Sequence, residues 1–380
     1  MIGALSASGH DAVVLYPAGK NVPEHEAVVH RDIAGRIADL MDVPFEGIYD
    51  TGRHTGRRCY FVPADTLIGA ETQARLDVHG ETDLLGGYAD HVFMPTKAIT
   101  HGLVGPQAKC PIGWSSEFAN HVDTATLPGR TAFSADDLRT AAQLLHVGAQ
   151  PLRLKPVRAT AGRGQKLIAD MAQLEAALTQ LNEHDLATCG VVLEVHLEDV
   201  VTYSVGQVRL PGGLIASYIG TQRLTPDNQG TLVYGGSRLQ FARGGYDALR
   251  DLAILEDCRR AVEQAWRYDQ AADACYPGFF ASRRNYDVAA GTGPGGERLM
   301  GVLEQSWRIG GATRAEIAAL EVFVTDPTCA CIWAETREIF GEDESAPPHA
   351  VETFAGHDPE LGLIRKYVMV EAYGNEQQHN

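Results

Sequence analysis

Several features that would place a sequence quickly are missing from this one. No run approaches the roughly 18 apolar residues that cross a bilayer, and basic residues are scarce. The chain has 32 Lys and Arg against 49 Asp and Glu, a formal net charge of −17. That balance argues against bulk attraction to nucleic acid or to an anionic membrane surface, so any anionic ligand must be met by a local cluster of cations. The seven cysteines, Cys59, Cys110, Cys189, Cys258, Cys275, Cys329 and Cys331, are scattered and contain neither a CxxC pair nor a zinc-finger spacing, which suits a reducing compartment. The lone CxC at Cys329 and Cys331 reads as core or loop thiols rather than a redox pair. GxxxxGK followed by Ser or Thr does not occur, and GRGQKL fails GxGxxG as well. His25, Glu26 and His30 have the spacing HExxxH, and five residues do not return to one helical face as four do, so surface histidines are expected. The opening residues carry no basic n-region, and AVVLY is too short for a secretory h-region. A cytoplasmic protein is expected.

What is present suits a large soluble enzyme. A chain of 380 residues with 44% hydrophobic residues is long enough for two or three compact units of about 100–200 residues each. The first part alternates strand and helix. DAVVLYPAG reads as a buried strand, and Val28, Ile33, Ile37, Leu40 and Met41 share a helical face. FEGIYD, RCYFVP and HVFMP read as further strands, giving a small α/β layer. Ser134 is a plausible N-cap for the helix that Gly148 stops. Beyond it come a strand PLRLKPV, a loop RATAGRGQ, a helix near Ile168–Leu181, and the strands GVVLEVHL and TYSVGQVRL. The stretch from Thr221 to Arg238 reads as a loop and Asp247–Tyr268 as a long helix. GFFASRRNYDVAAG and GVLEQS read as antiparallel strands joined by GTGPGGER. Helices are expected over Arg314–Val322 and around Cys331–Phe340, GEDESAPP as an exposed loop, and KYVMVEAYG as a last strand.

Three stretches carry chemistry. Asp287 and Glu304 lie on the two strands flanking the Gly-rich connection, where their carboxylates can oppose one another. That is unfavourable unless a divalent cation sits between them, since Mg²⁺ is held by one or two carboxylates together with nucleotide phosphates. A solvated acid pair on an exposed strand is the competing reading. In LRLKPVRATAGRGQ, Lys155 ends a strand, and Gly162 and Gly164 flank Arg163 in a loop whose amides can approach phosphate oxygens; a basic surface turn is the alternative. In VVLEVHLED an apolar strand bearing Glu194 exits through Val195 and Leu197 to an acidic end, where backbone groups can pair with an adenine edge. An edge strand with a solvated acid would look similar.

In this order, from about Lys97 to Thr313, the three stretches resemble the ATP-grasp superfamily, in an uncharacterised bacterial branch. The resemblance implies an α/β (α+β) ATP-grasp fold. Residues 1–97 would form an N-terminal Rossmann-like pre-ATP-grasp domain, 98–200 a connecting region and the small subdomain, and 201–380 the large subdomain with a C-terminal extension. It also implies the cofactors ATP and Mg²⁺, or Mn²⁺ in its place. Lys155 would meet the phosphates under a flap formed by Gly162, Arg163 and Gly164, and Lys97, a further cofactor-binding candidate, resembles the family's earlier lysine that opens the helix before the grasp region. Glu194, Val195 and Leu197 would receive adenine. Asp287 and Glu304 would be metal carboxylates, and Arg308 the basic end of the family's E-x-N-x-R run. Two departures stand out. Ser306 replaces the usual Asn as a shorter, weaker oxygen ligand to the metal, and the ribose-binding acid would fall near Thr202, with Glu198 or Asp199 as substitutes. Arg223 and Arg238 are further candidates for phosphate or carboxylate contacts.

The implied activity is an ATP- and Mg²⁺-dependent ligase that activates a small-molecule carboxylate as an acyl-phosphate for attack by an amine or similar nucleophile. A phosphotransferase on the same scaffold and a nucleotide sensor with a degraded metal site are the alternatives. The expected partners are small molecules, with no nucleic acid and no membrane; a homo-oligomer is compatible with the sequence.

Overall fold

The apolar run AVVLY forms a buried strand, β1 (Ala12–Tyr16), and the periodic stretch after it forms α1 (Glu24–Met41). The structure, a computed structural model, describes residues 9–19, 22–157, 164–252, 254–341 and 346–371. α1 buries Ile33, Ala34, Ile37, Leu40 and Met41. It stops where Asp42 adopts left-handed backbone, φ 55°, so that its N–H turns back to the carbonyls of Ala38 and Asp39. Then come β2 (Phe45–Ile48), α2 (Thr51–His54), β3 (Cys59–Pro63), β4 (Leu67–Ile68), α3 (Ala70–Leu76) and β5 (Gly87–Ala89). β1 pairs in parallel with β2 on one side and β3 on the other. In such open α/β layers ligands gather beyond the carboxyl ends of the strands, and Asp65 and Thr66 lie just past the end of β3.

The next elements are α4 (Ser116–Val122), β6 (Gly129–Ala132), α5 (Ala135–Leu144), β7 (Leu152–Pro156), β8 (Lys166–Ile168), α6 (Met171–Leu178), α7 (Glu183–Cys189) and β9 (Val191–Val195). Ser134 caps α5 as its sequence suggests, its Oγ accepting the Asp137 N–H at 3.2 Å. The four strands form a sheet in the order β6-β9-β7-β8. Leu152, Leu154, Val191 and Leu193 cover α5 and α6. By strand alternation the other face presents Arg153, Lys155, Val192 and Glu194.

The remainder builds one sheet of eight strands in the order β15-β14-β10-β11-β12-β16-β18-β17. Its elements are β10 (Glu198–Leu210), β11 (Leu214–Pro226), β12 (Leu232–Arg243), α8 (Glu256–Cys275), β14 (Arg283–Thr292), β15 (Arg298–Ser306), α9 (Thr313–Thr325), β16 (Cys331–Phe340), β17 (Val351–Asp358) and β18 (Gly362–Glu371), while the short β13 (Phe280–Ala281) pairs with β5 in a separate sheet. One face packs Val205, Tyr286, Val288 and Val302 on Ala261, Ala265 and Tyr268 of α8. Farther along, the opposite face packs Leu239, Phe241 and Ala334 on Ala315, Ala319 and Leu320 of α9 and on Ile33 and Ile37 of α1. Each large apolar side chain buried there contributes about 1.5–3 kcal/mol, so α1 and α9 are firmly seated.

Several local expectations need correcting. Cys331–Phe340 is a strand, not a helix: Ile332 and Ala334 turn inward while Trp333 turns to the other face, a period of two. The stretch read as a loop from Thr221 to Arg238 is mostly the paired ends of β11 and β12, reversed by a turn in which the Gly230 N–H donates to the Asp227 carbonyl at 2.9 Å. HVFMP forms turns rather than a strand, and the long helix begins at Glu256 rather than Asp247. The helix expected near Ile168–Leu181 is present but shorter, Met171–Leu178, with Ile168 ending the preceding strand. His25 and His30 are buried, not on the surface. Burial lowers the His30 imidazole to about 4, so both rings serve packing, His25 lying edge-on to Phe354 of β17.

Candidate active site

β14 and β15 pair antiparallel with Asp287 opposite Glu304 and Asn285 opposite Ser306. Side chains alternate along a strand, so these four share one face. Tyr286 and Gln305 point the other way, into the α8 core, where the Tyr268 hydroxyl donates to Gln305 Oε1 at 2.8 Å. Opposed carboxylates repel, and two donors offset this. Gln222 of β11 donates through Nε2 to Asp287 Oδ1 at 2.7 Å, and Lys97 brings its ammonium to 2.8 Å from Glu304 Oε2. Compensation is incomplete: burial, followed by the charge of Glu304, pushes the Asp287 carboxyl up to about 7. A pair held in that state accepts a further cation readily.

Lys97 opens the short 3₁₀ turn Lys97–Thr100, whose backbone is set by Thr96, its Oγ1 accepting the Ala98 N–H at 3.2 Å. The small sheet is fastened beside it. The segment entering β6 crosses β15 so closely that a Cβ on Gly301 would lie 2.5 Å from the Leu127 nitrogen, and Thr126 bridges to Val302. Only glycine permits that approach.

On the small sheet, Lys155 of β7 forms an ion pair with Glu194 of β9, and His101 Nε2 stands 3.0 Å from the other Glu194 oxygen. All three side chains are buried. Burial alone would raise the Glu194 carboxyl, but the Lys155 ammonium and the His101 hydrogen bond overcome it and hold it at about 2. The Glu194 carboxylate is thus consumed within the protein rather than displayed at the strand exit, which corrects the expectation that its side chain meets adenine. The Val195 N–H is likewise taken, by the Pro128 carbonyl at 3.0 Å. The side chains of Val195 and Leu197 pack with Leu127 and Ala289, and Glu198 begins β10 on the surface. In the glycine flap, Gly164 has φ 69°; Gly162 and Arg163 lie outside the described residues.

Arg308 follows β15. Its main chain is gripped from two sides: Thr66 Oγ1 donates to the Trp307 carbonyl at 3.1 Å, and the buried Arg283 donates to the Arg308 and Ser306 carbonyls. Its guanidinium Nε lies 3.7 Å from Asp65 Oδ1, just past the end of β3. Arg223 and Arg238 are elsewhere. Arg238 pairs in register with Thr221, one residue out of phase with Gln222, so it projects from the opposite face. There it binds Glu371 at 2.7 Å and covers the Trp333 ring at 4.6 Å, while Arg223 lies 3.6 Å from Glu335. Neither belongs with the paired carboxylates.

Among the described residues no group of three or more His, Cys, Asp or Glu side chains is arranged to hold a metal ion. The donor set fits Mg²⁺ in another way, since two carboxylates and a neutral oxygen suffice where phosphates complete the shell. Reading the sequence missed His101, Gln222 and Asn285. The first two are long-range partners with no local motif. Asn285 carried a signal, because it stands two residues before Asp287 on the same strand.

Similarity searches agree with this architecture. N5-carboxyaminoimidazole synthetase from Staphylococcus aureus complexed with ADP superposes with a TM-score of 0.56 at 12% identity, over 95% of this chain and 93% of that one. The biotin carboxylase–β,γ-ATP complex from Campylobacter jejuni gives 0.52 at 11% identity, over 96% and 88%. At such identities the likeness is one of fold, and that fold is ATP-grasp. No curated protein matches the sequence. The family described as "Protein of unknown function (DUF3182)" matches residues 13–368, and the chain belongs to that family, with an ATP-grasp fold.

Proposed function

We propose that this protein is an ATP- and Mg²⁺-dependent ligase that activates a small-molecule carboxylate as an acyl-phosphate and passes it to an amine or similar nucleophile. The observation that carries the reading is the opposed pair Asp287 and Glu304 with the Lys97 ammonium at 2.8 Å, set beside the sheet that bears Lys155. In this reading residues 1–97 are the pre-ATP-grasp domain, 98–200 the connecting region and small subdomain, and 201–380 the large subdomain with its extension. Leu197 and the backbone around it receive adenine, and Glu198 the ribose. Lys155, Lys97 and the flap of Gly162, Arg163 and Gly164 meet the phosphates. Asp287 and Glu304 hold Mg²⁺, or Mn²⁺, which when bound neutralises phosphate charge. A cytoplasmic setting fits the free thiols, and no described helix is long and apolar enough to cross a membrane.

The chemistry proceeds in two displacements. The acceptor carboxylate oxygen attacks the γ-phosphorus, the bond to the β–γ bridging oxygen breaks, and ADP departs with that electron pair. The amine then attacks the acyl carbon, inorganic phosphate leaves, and the amine proton passes to solvent. Arg308 neutralises charge on the acyl-phosphate, its backbone held rigid by Thr66 and Arg283. Trapping tests this directly. With ATP, Mg²⁺ and hydroxylamine over a panel of small carboxylates, the ligase gives a hydroxamate and releases ADP. Glu304→Ala loses about a hundredfold or more of that turnover. ADP release with no hydroxamate is the phosphotransferase outcome. ATP binding without Glu304-dependent turnover is the sensor outcome, which Ser306 and Thr202 favour.

A further inference from the structure

Where the family pattern places an amide oxygen on β15, this chain has the shorter Ser306. We infer that Asn285, on the neighbouring strand, supplies the missing amide oxygen to the metal site, so the ligand has moved across the β14–β15 pair. This rests on the ligase reading above, and it concerns a position outside the sequence motif.

The argument is one of register and hydrogen-bond count. Asn285 is directly opposite Ser306 and two residues from Asp287 on the same face. It is buried, with 7% of its surface exposed, so its amide orientation is set by its neighbours. Its Nδ2 lies 3.1 Å from the Tyr218 hydroxyl and 2.9 Å from Ser204 Oγ. Tyr218 has a single hydrogen, and it goes to Glu316 Oε1 at 2.6 Å, a carboxylate already clamped by Arg283 at 2.8 and 2.9 Å. The Tyr218 oxygen is therefore an acceptor towards Asn285, and the atom facing it must be the amide nitrogen, not the oxygen. Gly206 stands opposite Asn285 on β10 with the Tyr218 ring over it, so the nitrogen points towards β10 and β11. A planar amide then leaves Oδ1 on the β15 side, beside Ser306. Among the described residues Oδ1 accepts no hydrogen bond, and it is not one of the side-chain atoms sealed from solvent without a partner, so the oxygen is open to a ligand.

The test uses the full-length protein with Mn²⁺ and a non-hydrolysable ATP analogue, Mn²⁺ affinity being read by electron paramagnetic resonance. Asn285→Ala is expected to weaken Mn²⁺ about tenfold or more, whereas Asn285→Asp, which keeps an oxygen but loses the donor to Tyr218, stays within about threefold of wild type, as does Ser306→Ala. Equal losses in Asn285→Ala and Asn285→Asp would mean that the amide only braces Tyr218 and Ser204, and would overturn the inference. So would wild-type affinity in Asn285→Ala. A measurement on the wild-type protein stands apart from any folding defect: with carbon-13 in the asparagine side-chain carbonyl, electron–nuclear double resonance should show coupling to Mn²⁺. Its absence, with Mn²⁺ binding still abolished by Glu304→Gln, sinks this assignment alone. Mn²⁺ binding that ignores Glu304→Gln sinks the ligase reading with it.

Discussion

Two acidic centres stand on the two larger sheets, and their chemistry is opposite. Glu194 has an ammonium on one oxygen and an imidazole on the other, and its carboxyl is held at about 2. Asp287 faces another carboxylate, has a neutral amide for its nearest donor, and is driven up to about 7. The first centre is electrically closed and holds the small sheet's inner face in order. The second sets one ammonium, that of Lys97, against two carboxylates, and a deficit of positive charge of that kind suits a further cation. An acid that reads alike in sequence is thus a fastener on the small sheet and, in the proposed function, a metal ligand on the large one, according to whether a lysine's reach is spent on it fully or shared.

The strongest way to break this contrast is to remove the closed centre's carboxylate. Glu194→Gln leaves Lys155 buried without its counter-charge, and such a loss costs about 3–5 kcal/mol, measurable by urea unfolding at pH 7. The pH dependence has a defined sign. Because the folded pKa of Glu194 is depressed, its contribution is fully present above the unfolded value of about 4.3 and disappears as pH falls through about 2. Wild type and Glu194→Gln should therefore converge in stability across that window. If Glu194→Gln were as stable as wild type at pH 7, the Lys155–Glu194 pair would not be the fastener described.

At the open centre the same kind of change should act the other way. The Asp287 carboxyl is raised, so the folded protein holds a proton that the unfolded chain has already lost above about 3.9, and ionisation destabilises the fold as pH climbs towards 7. Asp287→Asn removes that penalty. It is expected to raise stability by about 1–2 kcal/mol at pH 8, a tenfold change in proton affinity being worth about 1.4 kcal/mol, and by nothing measurable at pH 4. Adding Mg²⁺ with an ATP analogue should stabilise wild type but not the variant. A thermal midpoint that falls in Asp287→Asn at pH 8 would show that the pair is not strained.

How much of this could be read beforehand depends on sequence range. The Asp287 and Glu304 pairing was legible because a hairpin joins them, and its register follows from alternating residues and a short Gly-rich connection. The fold class was legible from the order of strands, helices and chemistry-bearing stretches. Cys331–Phe340 was not, since Ala334, Glu335 and Arg337 suit a helix locally and only packing on α9 makes the run a strand. The β11–β12 tip was hidden by its polar turn and by strand ends that carry exposed Leu224 and Leu232. His101 and Gln222 meet their carboxylates from 93 and 65 positions away in sequence, and no spacing rule reaches that far.

The misplaced arginines supply the smallest expected effect and the sharpest control. Arg238 is about half exposed, bound to the half-buried Glu371 and stacked on Trp333; pairs of that kind contribute about 0–1 kcal/mol. Its face of the sheet is the one that lacks Asp287 and Glu304. Arg238→Ala should therefore shift stability by less than about 1 kcal/mol and leave nucleotide and Mn²⁺ affinity unchanged, whereas changes at Lys97 or Glu304 on the other face should not. A fall in Mn²⁺ affinity for Arg238→Ala comparable to that for Glu304→Gln would mean that the two faces communicate. The separation of a charged working face from a merely paired one would then be lost.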